Sequence, residues 1–187
     1  MTIFEYLTVM VSLIMGLGIA HMLSGLARLI QARHRVRLYW VPLAWVGLIF
    51  VETVQVWWSN WKWRHYEEWN LFTFIFVLLM PIVLYMVAAV VLPRFEPDES
   101  IDLRKYYYEK HRWLFGMGTL LAILPIAGEV GFHGKPLFSG INCFRVAFFF
   151  LLGSAAFISK HWYHSILTGL VGVLFLIFLL LYTAGVR

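Results

Sequence analysis

Three ionisable residues stand inside stretches of chain that are otherwise uncharged: Glu52, Glu129 and Arg145. A charge at the middle of a membrane helix costs about 2.5–3.5 kcal/mol even on the lenient insertion scale, so each must have a partner or a use. Gln55 follows Glu52 by three residues and Asn142 precedes Arg145 by three, which puts an amide beside each of these charges on its own helix face. Pro125 lies one turn before Glu129 and leaves the carbonyl of Leu121 without its helical donor, while Gly128 and Gly131 loosen the same region. A helix bent or broken at its acid is expected there. Two carboxylates set against one guanidinium leave one negative charge, which a low dielectric requires a proton or a cation to neutralise. Glu52, Gln55, Glu129, Asn142 and Arg145 thus form a candidate pocket for a proton or small cation. The competing reading is a buried ion pair that fixes helix register and does nothing else.

The elements that must position these residues follow from composition. Of 187 residues, 61% are hydrophobic and 13% charged, against about 45–50% and about 25% in a soluble domain. Six stretches are long enough to cross a hydrocarbon core, which takes about 20 apolar residues. They run over about 3–30, 38–58, 71–92, 113–132, 138–158 and 166–186. The fold class is therefore all-α, a polytopic membrane protein with a compact bundle of six transmembrane helices in one domain spanning 1–187. No Lys or Arg precedes the first stretch, so it reads as a retained helix and not a signal peptide. Helices two, four and five are expected to enclose the polar pocket, with Glu52, Glu129 and Arg145 near a common level in its outer half.

An even number of spans places both termini on one side, and basic residues decide which. Arg28, Arg33, Arg35, Arg37, Arg94, Arg104, Lys105, Lys110, Arg112 and Lys160 flank the odd loops, against Lys62, Arg64, Lys135 and Arg187 on the other side. By the positive-inside rule the odd loops are cytoplasmic and both termini periplasmic. The net charge of +5 is explained by this bias, with no nucleic-acid partner implied. In the third loop the Asp98-Glu99-Ser100 cluster can cap a helix running through Arg104 and Tyr107 into the fourth span.

Ser12, Gly16, Ala20 and Ser24 form a small-residue stripe that is expected to admit a neighbouring helix closely. His21, beside it, is a candidate for an interhelical hydrogen bond or a proton relay. Trp57, Trp61, His65 and Trp69 recur every four residues, so a helix extended through them would present one aromatic face. With Trp58 they form a candidate interfacial rim on the outer leaflet, joined by Glu5 and Tyr6. Cys143 is the single cysteine, so neither an intrachain disulfide nor a Cys-x-x-Cys metal framework is available. His133, His161 and His164 fall at helix ends and His111 in a loop, which leaves His21 without an intramembrane partner for haem. No cofactor and no metal are expected.

Gly16-Leu17-Gly18-Ile19-Ala20-His21, Gly25-Leu26-Ala27-Arg28-Leu29, Tyr39-Trp40-Val41, Trp57-Trp58, Tyr106-Tyr107-Tyr108 and Arg112-Trp113 resemble a family of small uncharacterised bacterial inner-membrane proteins. The resemblance covers most of the first four helices. It implies a bacterial inner membrane and assigns no chemistry.

No phosphate-binding loop, His-Glu-x-x-His or Gly-x-Ser-x-Gly pattern occurs. The leading expectation is a small transporter or channel-like protein in which Glu52 and Glu129 bind a proton or cation and Arg145 sets their charge state. The alternative is a structural or accessory subunit whose tryptophan rim and apolar sixth helix bind a larger complex or a second copy, as a homo-oligomer. A lipid- or quinone-modifying enzyme ranks below both, and the lipid bilayer is a partner in every case.

Overall fold

The computed structural model describes residues 2–94, 100–132, 134, 136–137 and 140–184, with the side chains of 183 and 184 left aside. Asp98 and Glu99 lie outside the described residues. Six helices are each long and apolar enough to cross a membrane, which establishes an all-α, multi-pass membrane protein. They are α1 (Ile3–Gln31), α2 (Trp40–Ser59), α3 (Leu71–Val91), α4 (Leu103–Gly131), α5 (Gly140–Phe157) and α6 (His161–Ala184). The chain divides into two compact units, Met1–Lys110 and His111–Arg187, with the boundary inside α4.

In the first unit, α1 begins with a capping box. The Thr2 hydroxyl accepts from the Glu5 N–H at 3.2 Å, and the Glu5 carboxylate accepts from the Thr2 N–H at 2.9 Å. Its buried residues are Leu7, Val11, Met15, Gly18, Met22, Gly25 and Leu29, and from Val11 onward they step by alternating fours and threes, the spacing of a left-handed coiled-coil seam. That seam lies on α3, and the contact is closest at two glycines. A Cβ on Gly18 would sit 3.7 Å from the Tyr85 Cα, and one on Gly25 would sit 2.9 Å from the Leu92 Cδ1.

The expected stripe of Ser12, Gly16, Ala20 and Ser24 does not form this contact. Gly16, Ala20 and Ser24 are exposed, and a Cβ on Gly16 would meet nothing within 4 Å. A strict four-residue step drifts by about 40° per step on a helix of 3.6 residues per turn, whereas alternating threes and fours hold one face.

Between the spans, β1 (Val36–Arg37) pairs in parallel with β2 (Ile101–Asp102), and the Ile101 N–H donates to the Arg35 carbonyl at 3.1 Å. The first and third loops are thereby stapled together. α4 starts at Leu103, ten residues before the apolar stretch does, and Asp102 is its cap: the carboxylate Oδ1 accepts from the N–H groups of Arg104 at 2.9 Å and Lys105 at 3.1 Å. The Tyr106-Tyr107-Tyr108 run serves the same end of the unit. Tyr106 donates to the Val90 carbonyl at 2.9 Å, Tyr107 is buried, and the Tyr108 and Tyr39 hydroxyls stand 3.4 Å apart.

In the second unit, α4, α5 and α6 carry their own core. Leu152 on α5 fits against Gly118, whose Cβ would lie 3.4 Å from the Leu152 Cδ1. α6 buries Leu167, Val171, Phe175, Phe178 and Tyr182, again at steps of three and four. Phe148 on α5 meets Phe175 and Phe178 edge-on at 6.4 and 6.3 Å. The opposite face of α6, including Ile166, Val173, Leu176 and Leu180, is exposed.

Candidate functional site

A buried polar cluster joins α4 and α5 in the second unit. Glu129 lies in the last turn of α4 and Arg145 in the second turn of α5. The Arg145 Nη1 stands 3.0 Å from the Glu129 Oε2, and the two side chains are only 10% and 11% exposed. The same Nη1 donates to the Asn142 Oδ1 at 2.8 Å. Asn142, itself fully buried, turns its Nδ2 toward the Pro136 carbonyl at 3.4 Å. An amide three residues before an arginine lies beside it on one helix face and can accept from it. The sequence spacing of Asn142 and Arg145 therefore translates directly into geometry.

Among the described residues of this cluster one carboxylate meets one guanidinium, and the Asn142 amide oxygen accepts from the same guanidinium nitrogen. Among the described residues no buried side-chain nitrogen or oxygen lacks a hydrogen-bond partner. α4 stays helical through Pro125 to Gly131, so the proline does not break the helix before Glu129, as the sequence had allowed. Glu52 and Gln55 stand on α2 in the first unit, both half-buried. The Thr53 between them is buried, its hydroxyl bonded to the Ile49 carbonyl at 2.7 Å.

His21 lies on the half-buried flank of α1, beside the seam and not within it. The aromatic segment is not one continuous helix with a four-residue face. α2 ends at Ser59 and the chain tightens into a 3-10 turn over Asn60–His65, whose repeat is three residues. Accordingly Trp63, Tyr66 and Trp69 cluster, with ring centroids 5.4–5.9 Å apart. Trp57, Trp58 and Trp61 remain exposed. Two of them are tied to α1: the Trp57 indole donates to the Ser12 hydroxyl at 3.1 Å, and Trp61 meets Phe4 edge-on at 6.3 Å. Tyr6 stacks on Phe74 of α3 at 6.2 Å.

One buried polar pair has no counterpart in the sequence reading. His111 and His164 are both buried, with perpendicular rings 5.5 Å apart. The His164 Nε2 is 2.6 Å from the Ile158 carbonyl and so donates to it, since a carbonyl only accepts. The His111 Nε2 is 3.2 Å from the Ser159 hydroxyl. From hydropathy alone His111 falls in the loop before the fourth span. The early start of α4 puts it on a helix instead, with its charged neighbours on other faces. Among the described residues no group of three metal-ligating side chains occurs.

No protein-family model, no curated protein and no solved structure matches the chain.

Proposed function

We propose that the chain is a structural or accessory membrane protein whose buried ionic group fastens helices and carries no ion. The observation that supports this reading is the direct pairing of Glu129 with Arg145 at 3.0 Å, with Asn142 accepting from the same guanidinium at 2.8 Å. Buried opposite charges in contact compensate each other, and the best-attested use of such a pair is to specify register. The exposed Trp57, Trp58 and Trp61 and the exposed apolar face of α6 then offer surface to lipid, to a larger complex or to a second copy. The setting proposed is a bacterial inner membrane with both termini periplasmic, resting on the excess of basic residues in the odd loops.

A second reading is a small transporter or channel-like protein for a proton or small cation. A carboxylate buried at membrane depth favours it: Glu129, one turn after Pro125, with the half-buried Glu52 as a second acid. The purified chain in proteoliposomes separates the two. With a pH-sensitive dye inside and an imposed proton or potassium gradient, the accessory reading expects flux no faster than in protein-free vesicles. Flux that Glu129→Gln abolishes would overturn it in favour of transport. In gently solubilised membranes the accessory reading further expects a particle larger than the 21.9 kDa chain in its detergent belt.

A further inference from the structure

The first unit contains an open cavity of about 380 Å³ whose walls include Leu17, His21, Ser24 and Arg28 of α1, Tyr85 of α3 and Arg94 just beyond α3. The residues from α1 recur at intervals of three, four and seven, so they share one face. The seam glycine Gly18 brings Tyr85 against α1, with the Tyr85 Cδ2 3.8 Å from where its Cβ would be. Arg28 lies in the last turn of α1 and uses only its Nε internally, donating to the Ser24 carbonyl at 3.2 Å. Its two terminal amino groups remain directed to no protein acceptor, and among the described residues neither Arg28 nor Arg94 is paired with a carboxylate. Two guanidinium groups, an imidazole and two hydroxyls around one concavity make a donor-rich, net-positive site, and planar guanidinium forks match phosphate oxygens in geometry as well as charge.

What distinguishes this cavity from a site for a free anion is the exposed apolar surface of α1 that continues from Leu17 at its edge. Leu17 lies seven residues from Ser24 and eleven from Arg28 along α1, about 10 Å and about 16 Å at the helical rise. Leu13 and Leu17 are 64% and 62% exposed on the same side of the helix as the mouth or next to it. A ligand that fills the basic mouth and follows this wall must be polar and anionic at one end and apolar at the other. Basic pockets at the ends of membrane helices recognise acidic lipid headgroups by this combination.

We propose that this cavity binds the phosphate headgroup of an acidic phospholipid, with Arg28 and Arg94 holding the phosphate, Ser24, Tyr85 and His21 bonding its oxygens, and the acyl chains lying along Leu17. The test uses the full-length protein in mixed micelles, with native mass spectrometry and a competition assay against a fluorescent phosphatidylglycerol. Phosphatidylglycerol or cardiolipin should be retained in preference to phosphatidylcholine. Arg28→Gln together with Arg94→Gln should lower that preference about tenfold or more, at about fivefold per basic residue. Arg33→Gln with Lys105→Gln, which removes the same charge outside the cavity, should leave it within about twofold, whereas Arg28→Lys with Arg94→Lys, which keeps the charge and removes the guanidinium forks, should lie between these two results. His21→Gln and Ser24→Leu probe the site without touching its charge, and Ser24→Leu should also weaken retention. Equal retention of acidic and zwitterionic lipid would overturn the proposal. So would a preference lost equally in the Arg33→Gln/Lys105→Gln control, or displacement of the lipid by millimolar inorganic phosphate alone, which would assign the cavity to the free ion.

Discussion

Removing Arg145 should be more damaging than removing the whole ion pair. The Glu129 and Arg145 side chains are 11% and 10% exposed, so Arg145→Met leaves a carboxylate out of water with its 3.0 Å counter-charge gone. It also leaves the Asn142 Oδ1 without the donor that lies at 2.8 Å. Breaking a buried pair from one side costs roughly 3–5 kcal/mol, whereas replacing both partners by neutral groups of similar volume is often close to neutral. Glu129→Gln/Arg145→Met should therefore be about 2 kcal/mol or more above Arg145→Met in stability. Reversible unfolding of the detergent-solubilised protein by a denaturing detergent, run on wild type, both single variants and the double variant, gives the coupling energy directly. Additivity within about 0.5 kcal/mol is what independent sites show, and finding it here would mean that the pair does not act as a unit and that its role as a fastener is wrong.

Four further outcomes follow from other parts of the chain. In a Cys143→Ser background, a cysteine at Asn60 should be labelled from outside intact cells and one at Arg35 should not; the reverse pattern inverts the proposed orientation. Asp102→Ala should lower stability by about 1 kcal/mol through loss of the α4 cap, while Asp102→Asn, which keeps an acceptor for the Arg104 and Lys105 N–H groups, should stay near wild type by the same unfolding assay. Gly25→Val should cost about 1–3 kcal/mol, because its Cβ enters the space of Leu92 at 2.9 Å. Gly16→Ala, with nothing within 4 Å of the new Cβ, should be neutral or stabilising by up to about 1 kcal/mol.

The six spans were legible because a bilayer demands long uncharged helices, and that demand writes itself into composition. Their ends were less so. The span of α4 reads from hydropathy as beginning at Trp113, yet the helix starts at Leu103, because a helix continues through charged residues once it has left the hydrocarbon and needs only a cap to begin. The cap is Asp102, four residues past the Asp98 that the sequence offered, and its position is set by a two-residue strand pairing with Val36 and Arg37. Pairing between segments about sixty-five residues apart leaves no local signature. In α1 the small residues were visible, but two registers competed. The one that won is decided by what α3 presents, Tyr85, Ala88 and Leu92, which the sequence of α1 does not contain.

The same division runs through the polar residues. Asn142 and Arg145 were legible as a pair because their relation is set within one helix, three residues apart and on one face. The Glu129 contact joins two helices and could be expected only on the ground that a buried arginine requires an acid. His111 and His164 carry no such signal, because an imidazole can be met by uncharged groups anywhere in the fold. Their partners, the Ile158 carbonyl and the Ser159 hydroxyl, belong to the short turn between α5 and α6. That turn offers a backbone carbonyl to His164 and a hydroxyl to His111, both of them uncharged groups. Charge, being costly in the membrane, announces its partners; neutral hydrogen bonding does not, and it is through such bonds that the second unit closes this end of its core.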